Sequence, residues 1–121
     1  MNEARIVVVD DSVDTAEALA CLLTLDGYSV RTAYDGVQAA ALVETFAPHG
    51  VLFDINMPLM DGNELSKQLR ERFGDDLVLI AITGEDGADG RVAAVFGRVD
   101  HYLRKPIGQT DLRRIFPPQT S

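Results

Sequence analysis

The sequence predicts an α/β fold: one doubly wound parallel sheet of five strands alternating with five helices. Three observations lead there. Short apolar runs alternate with longer amphipathic stretches five times along 121 residues. Three of the runs, near residues 5–10, 50–54 and 77–83, are apolar throughout, as in parallel strands covered on both faces. The other two, 28–33 and near 100–104, alternate or mix polar and apolar residues and so suit the edges of the sheet. Right-handed crossovers between edges placed this way give the strand order 2-1-3-4-5, a (βα)5 flavodoxin-like arrangement.

Each element has its own signals. Ile6-Val7-Val8-Val9 forms the first strand and runs into Asp10-Asp11. Asp14-Thr15-Ala16-Glu17 has the spacing of a capping box, with Asp standing in for Ser or Thr. Ala16, Leu19, Ala20 and Leu23 make one apolar stripe on the helix that follows, and Gly27 closes it. The second strand is Tyr28-Ser29-Val30-Arg31-Thr32-Ala33. Asp35-Gly36-Val37-Gln38 repeats the cap spacing, with Ala39, Val43 and Phe46 turned inward and Pro48 beyond the end. The third strand ends Val51-Leu52-Phe53-Asp54. Leu65, Leu69 and Phe73 stripe the third helix, which Gly74 stops. Leu77 to Ile82 leads into Thr83-Gly84, and a fourth helix starts within residues 85–90, where two glycines weaken its first turn. Tyr102-Leu103-Arg104 runs into Lys105-Pro106. A short fifth helix turns Leu112, Ile115 and Phe116 inward and ends at Pro117-Pro118. The expectation is a single domain over 1–121, with a core near 5–116 and a short tail at 117–121.

Size and composition narrow the classes. A chain of 121 residues buries about two-thirds of its unfolded surface, enough for a core without staples. At 46% hydrophobic residues, disorder is not expected. Cys21 is the only cysteine, so no internal disulfide forms; it reads as a small core residue on the first helix. No apolar stretch is long enough to span a bilayer, and the start has no secretory signal, so the expected location is the cytoplasm. The net charge of -8 argues against nucleic-acid binding, which needs a basic footprint. Residues 91–121 nevertheless carry six Lys/Arg against two Asp/Glu. That end is read first as solvated surface, and more sharply as a face for an acidic partner.

The chemistry gathers at the strand ends. In a sheet of this order, ligands sit beyond the carboxyl ends of the strands, near the switch between strands one and three. Asp10, Asp11 and Asp54 should converge there. Three neighbouring carboxylates repel unless some are protonated or share a cation. Mg2+ suits them: it takes oxygen ligands, keeps several waters and uses few carboxylates. The Asn56 carbonyl, two residues past Asp54, would complete the protein's ligands. Lys105 would stand on the other side of Asp54, pairing with it at rest and with a phosphoryl oxygen later. Thr83 adds a hydroxyl donor. Taken singly, each has a plainer reading: a loop cap for the Asp pair, a solvated turn for Lys105, an ordinary β-branched strand end for Thr83. Together they favour one site.

The constellation resembles the receiver domain of two-component response regulators, from Arg5 to about Phe116. The matching pieces are Val9-Asp10-Asp11-Ser12, Leu52-Phe53-Asp54-Ile55-Asn56-Met57-Pro58 with Met60-Asp61-Gly62, Ile82-Thr83-Gly84, and Tyr102-Leu103-Arg104-Lys105-Pro106. The resemblance implies Asp54 as phosphoacceptor, Mg2+ on Asp10, Asp11, Asp54 and the Asn56 carbonyl, and Thr83 and Lys105 as phosphoryl contacts. It also implies a cis Lys105-Pro106 bond, and Tyr102 as an aromatic switch rather than a plain edge-strand tyrosine. Phosphoryl groups would come from a sensor histidine kinase or histidine phosphotransfer protein. The response would appear on the surface of the fourth helix, fifth strand and fifth helix, for a downstream effector protein. Asn56 and Glu85 would tune hydrolysis, and the chain would be a monomer or a phosphorylation-dependent dimer. The Asp100-His101-Tyr102-Leu103 stretch is similar to receivers of hybrid histidine kinases and their stand-alone relatives.

Two features depart from that pattern. Gly97-Arg98-Val99-Asp100 holds one residue more than the usual turn, and the fifth helix is short. His49 and His101 are expected at the surface, outside the site. An aspartate-nucleophile Mg2+ phosphatase is a competing reading, but its second Asp would fall at Asn56, which cannot do acid–base work. A cofactor-binding flavodoxin relative would need an uncharged anion cradle where Asp11-Ser12-Val13-Asp14 stands. A stand-alone receiver is preferred over one excised from a hybrid kinase.

Overall fold

The computed structural model describes residues 4–55, 62–83 and 98–119. In chain order these form β1 (Arg5–Val9), α1 (Val13–Leu25), β2 (Ser29–Ala33), α2 (Gly36–Phe46), β3 (Gly50–Asp54), α3 (Gly62–Phe73), a 3-10 turn (Gly74–Asp76), β4 (Val78–Thr83), β5 (His101–Arg104) and a C-terminal helix (Gln109–Ile115). The five strands make one parallel sheet in the order β2-β1-β3-β4-β5, as the edge-and-centre pattern predicts. The expected fourth helix lies outside the described residues, as do Asn56 and Glu85.

Strand alternation splits the core into two layers. Val7, Val9, Val51, Phe53, Leu79 and Ala81 face α2 and α3, meeting Ala39, Val43, Leu65 and Leu69. Ile6, Val8, Leu52, Ile80 and Ile82 face the other way, toward Ala16, Leu19 and Leu23 of α1 and Leu112 and Phe116 at the C-terminal end. Each fully buried aliphatic side chain contributes about 1.5–3 kcal/mol of transfer free energy, so both stripes hold the helices down.

The helices correct three local readings, two of them at their ends. α1 begins two residues before the expected box: the cap is Ser12, whose Oγ accepts the Thr15 N–H at 3.3 Å. Asp14 therefore sits inside the first turn, where a negative charge still suits the helix dipole. At the other end Gly27 takes φ +97°, and the Tyr28 and Gly27 N–H groups donate to the Leu23 and Thr24 carbonyls. Cys21 is exposed on α1, not in the core, because the buried stripe runs through Ala16, Leu19 and Leu23. Asp35 Oδ1 caps α2 by accepting from Gln38 N at 2.7 Å. Gln38 returns the contact to the Tyr34 N–H rather than to that of Asp35.

Register is what builds the site. Val9 lies beside Phe53, so Asp10 comes level with Asp54 at the next step. Asp54 pairs with Ile82, and Thr83 with Arg104. Asp10, Asp54, Thr83 and Lys105 therefore leave the sheet along the same edge.

Candidate functional site

Asp10 is fully buried, and its two oxygens have different surroundings. Oδ1 accepts the Ser12 N–H at 2.9 Å. Among the described residues Oδ2 has no hydrogen-bond partner, although the Lys105 ammonium lies 3.4 Å away as an ion pair. Asp54 is buried at 6% exposure, and its Oδ2 accepts from Lys105 Nζ at 3.0 Å. Asp11 is exposed at the rim. One oxygen from each of Asp10, Asp11 and Asp54 can be chosen so that all three lie within 4.8 Å of one another. Lys105 thus pairs with two of the three carboxylates, Asp10 and Asp54.

The titration directions follow from this crowding. Burial pushes the Asp10 carboxyl above its ordinary value, and the Asp54 charge adds to that. The Ser12 N–H and Lys105 oppose it without winning. Burial also works against the charged Lys105 ammonium. Its hydrogen bond to Asp54, with the charges of Asp54 and Asp10, outweighs that, so Lys105 is held above its usual range.

The residues fit a hard divalent cation. A buried carboxylate oxygen with no hydrogen-bond donor among the described residues, beside two further carboxylates, is the donor set an oxygen-seeking ion takes up. Asp10, Asp11 and Asp54 could hold it, and Lys105 approaches Asp54 without being able to act as a ligand while protonated. Thr83 is buried at the end of β4, where its carbonyl accepts the Lys105 N–H at 2.9 Å. Tyr102 is half-buried on β5 and packs against the layer containing Phe53 and Ala81. The Lys105-Pro106 bond is cis. His49 and His101 are both exposed, and His49 Nδ1 accepts the Arg5 N–H at the opposite edge of the sheet.

Two contributors escaped the sequence reading. The Ser12 amide fixes the Asp10 rotamer; the Asp-x-Ser spacing of an Asx turn was the available signal. Beside Lys105 opens a groove of about 490 Å³, lined by Asp14, Thr15, Ala18, Leu19, Leu22 and the Lys105–Ile107 segment. No local pattern announces it, because α1 and the segment after β5 meet only in three dimensions.

Comparison with known proteins agrees with this geometry. The family model described as "Response regulator receiver domain" matches residues 6–116. The chain is 42% identical over 108 residues to response regulator MprA of Mycobacterium sp. (strain KMS), covering 89% of this chain and 46% of that protein. Response regulator MprA of Mycobacterium avium (strain 104) is 40% identical over the same length, with 47% of it covered. The chain spans about half the length of the curated relatives it matches. Among solved structures, a CheY-like response regulator receiver domain protein from Methanospirillum hungatei JF-1 superposes with a TM-score of 0.87 at 26% identity, covering 95% of this chain and 91% of that one. A putative response regulator from Chloroflexus aurantiacus J-10-fl gives 0.84 at 27% identity, covering 95% of both.

Proposed function

The chain belongs to the response regulator receiver domain family of two-component signalling, and on that premise we propose that Asp54 is its phosphoacceptor. The family acts as a phosphoacceptor switch rather than a catalytic enzyme. The single observation that carries the assignment to Asp54 is its position: a buried carboxylate held 3.0 Å from Lys105 and grouped with Asp10 and Asp11.

An Asp54 oxygen attacks the phosphorus of a phosphohistidine on a sensor histidine kinase or histidine phosphotransfer protein. The new O–P bond forms as the N–P bond breaks, and the histidine nitrogen keeps the bonding pair and takes a proton. Asp10, Asp11, Asp54 and the Asn56 carbonyl would hold Mg2+, which when bound would supply charge neutralisation for the phosphoryl oxygens. Lys105 shifts from the Asp54 carboxylate to a phosphoryl oxygen, which matters because a loose phosphoryl-transfer transition state is governed by positioning and charge. Thr83 donates its hydroxyl to another phosphoryl oxygen. Tyr102 follows, and the surface around β5 and the C-terminal helix changes for a downstream effector protein. The setting is cytoplasmic, and the chain works alone or as the receiver of a longer protein, as a monomer or a phosphorylation-dependent dimer. Among the described residues no helix is long and apolar enough to cross a membrane.

Acetyl phosphate with Mg2+ tests the reading. Intact mass should rise by one phosphoryl group, the gain should vanish with EDTA, and Asp54→Asn should abolish it. Labelling that persists in a folded Asp54→Asn variant would remove Asp54 from this role.

A further inference from the structure

The entry to β5 is held by a side chain from another element. β5 is four residues long, lies at the sheet edge and, among the described residues, pairs only with β4. Four residues offer few ladder bonds, and a slip of one residue would reverse the strand's faces. Tyr102, in the layer of Phe53, would then exchange sides with Leu103, in the layer of Ile82.

Arg70, in the last turn of α3, removes that freedom. Its Nη2 donates to Asp100 Oδ2 at 2.6 Å and its Nε to the Arg98 carbonyl at 2.7 Å. Its Nη1 donates to the Gly74 and Leu77 carbonyls, both at 2.8 Å. One guanidinium thereby joins the end of α3, the approach to β4 and the approach to β5. Asp100 completes the connection: Oδ2 accepts the Leu79 N–H at 2.8 Å, and the Asp100 N–H donates to the Leu79 carbonyl at 2.8 Å. This extends the β4–β5 ladder one step before its first pair, Ile80 with His101. The Arg70 side chain is 19% exposed, so these bonds are partly shielded from water.

The far end of the same short strand is Lys105. With Thr83 paired to Arg104, the Lys105 N–H meets the Thr83 carbonyl and Nζ reaches Asp54. A slip by one residue would present Arg104 or Pro106 there instead. We propose that Arg70, acting through Asp100, is a positioning residue that sets the register of β5 and so delivers Lys105 to Asp54. The inference deepens the phosphoacceptor reading and rests on it for its kinetic consequence only.

The test compares wild type with Arg70→Ala, Arg70→Lys and Asp100→Asn by three readouts. Amide exchange at Tyr102, Arg104 and Lys105 should rise about tenfold in Arg70→Ala while β1 and β3 stay unchanged. Mg2+ affinity should stay within about twofold, because none of its ligands lies on β5. Phosphoryl uptake from acetyl phosphate at saturating Mg2+ should slow about fivefold or more, since small displacements of a charge-stabilising group are costly. Arg70→Lys should fall between, because a point charge cannot serve four acceptors. Unchanged β5 exchange and uptake would overturn the proposal, as would a parallel loss of Mg2+ affinity and uptake, which marks general collapse. Should Arg70→Ala fail to fold, Asp100→Asn decides, since it keeps the Leu79 contact and removes only the ion pair. Wild type that takes up no phosphoryl group refutes the functional reading instead, and the exchange measurement still judges the brace.

Discussion

Asp10 carries the least compensated charge in the site. It is fully buried, and one oxygen lacks a hydrogen-bond donor among the described residues, while burial pushes its carboxyl upward. Asp10→Asn keeps an oxygen for the Ser12 N–H and removes the crowded charge. The variant should be more stable than wild type without metal, by about 1 kcal/mol in denaturant unfolding, and should lose most of its Mg2+ affinity. Lys105→Ala makes the complementary case. It should bind Mg2+ at least as tightly, since a competing positive charge has gone, yet take up phosphate about tenfold more slowly. Fluorescence or calorimetric Mg2+ titration beside timed mass spectra separates the two effects. At this scale the acids and Lys105 were legible because each follows an apolar strand. Ser12 was missed despite its Asx-turn spacing from Asp10, because its contact is a backbone amide rather than a telling side chain, and Cys21 was misplaced because α1 is apolar on its outer face too. Leu25, at 72% exposed, shows the same ambiguity.

The C-terminal helix is the element that most needs its neighbours. Seven residues are too few to be stable alone. Gly108 has no side chain to cap it, so only the reverse contact forms, from the Gly108 N–H to Asp111 Oδ2 at 2.9 Å. Leu112 and Phe116 bury it against the α1 layer, and Asp26 fastens it. The Asp26 carboxylate accepts two bonds from Arg113 and one from Gln109, and its carbonyl accepts the Gln119 N–H. The Arg113 hydrogen bonds, against the cost of burial, hold Asp26 below its ordinary 3.8. A depressed carboxyl stabilises the fold fully above its unfolded pKa and loses that contribution as pH falls through the folded one. The stability gap between wild type and Asp26→Asn should therefore be flat near neutral pH and shrink below about 3.8 in denaturant unfolding. Gly27 guards the same corner: a Cβ there would lie 2.9 Å from Gln119 Cβ, at φ +97°. Gly27→Ala should cost about 1–2 kcal/mol in the same assay. The helices themselves were readable from their stripes. This fastening was not, because Asp26 and Arg113 stand 87 residues apart and share no periodicity.

Across the whole molecule, the alternation of strand and helix was enough to order the sheet, because edge strands and doubly covered strands differ in composition. The distances that make the site work came from register, which the sequence expresses only through that pattern. Net charge is -8, and part of it is concentrated in the acidic cluster. Cation binding there should stabilise the entire fold by linkage. Mg2+ at a hundred times its Kd should add about 2.7 kcal/mol, seen as a higher melting temperature that EDTA reverses. The same ions should barely move Asp10→Asn. The proposed function turns on one bond, between phosphorus and an Asp54 oxygen. Borohydride reduction after phosphoryl transfer converts an aspartyl phosphate to homoserine, so peptide mass spectrometry reads the acceptor directly. Homoserine is expected at position 54 and nowhere else; homoserine at Asp10 or Asp11, or an unreduced chain that still carries phosphate, would show that Asp54 is not the acceptor.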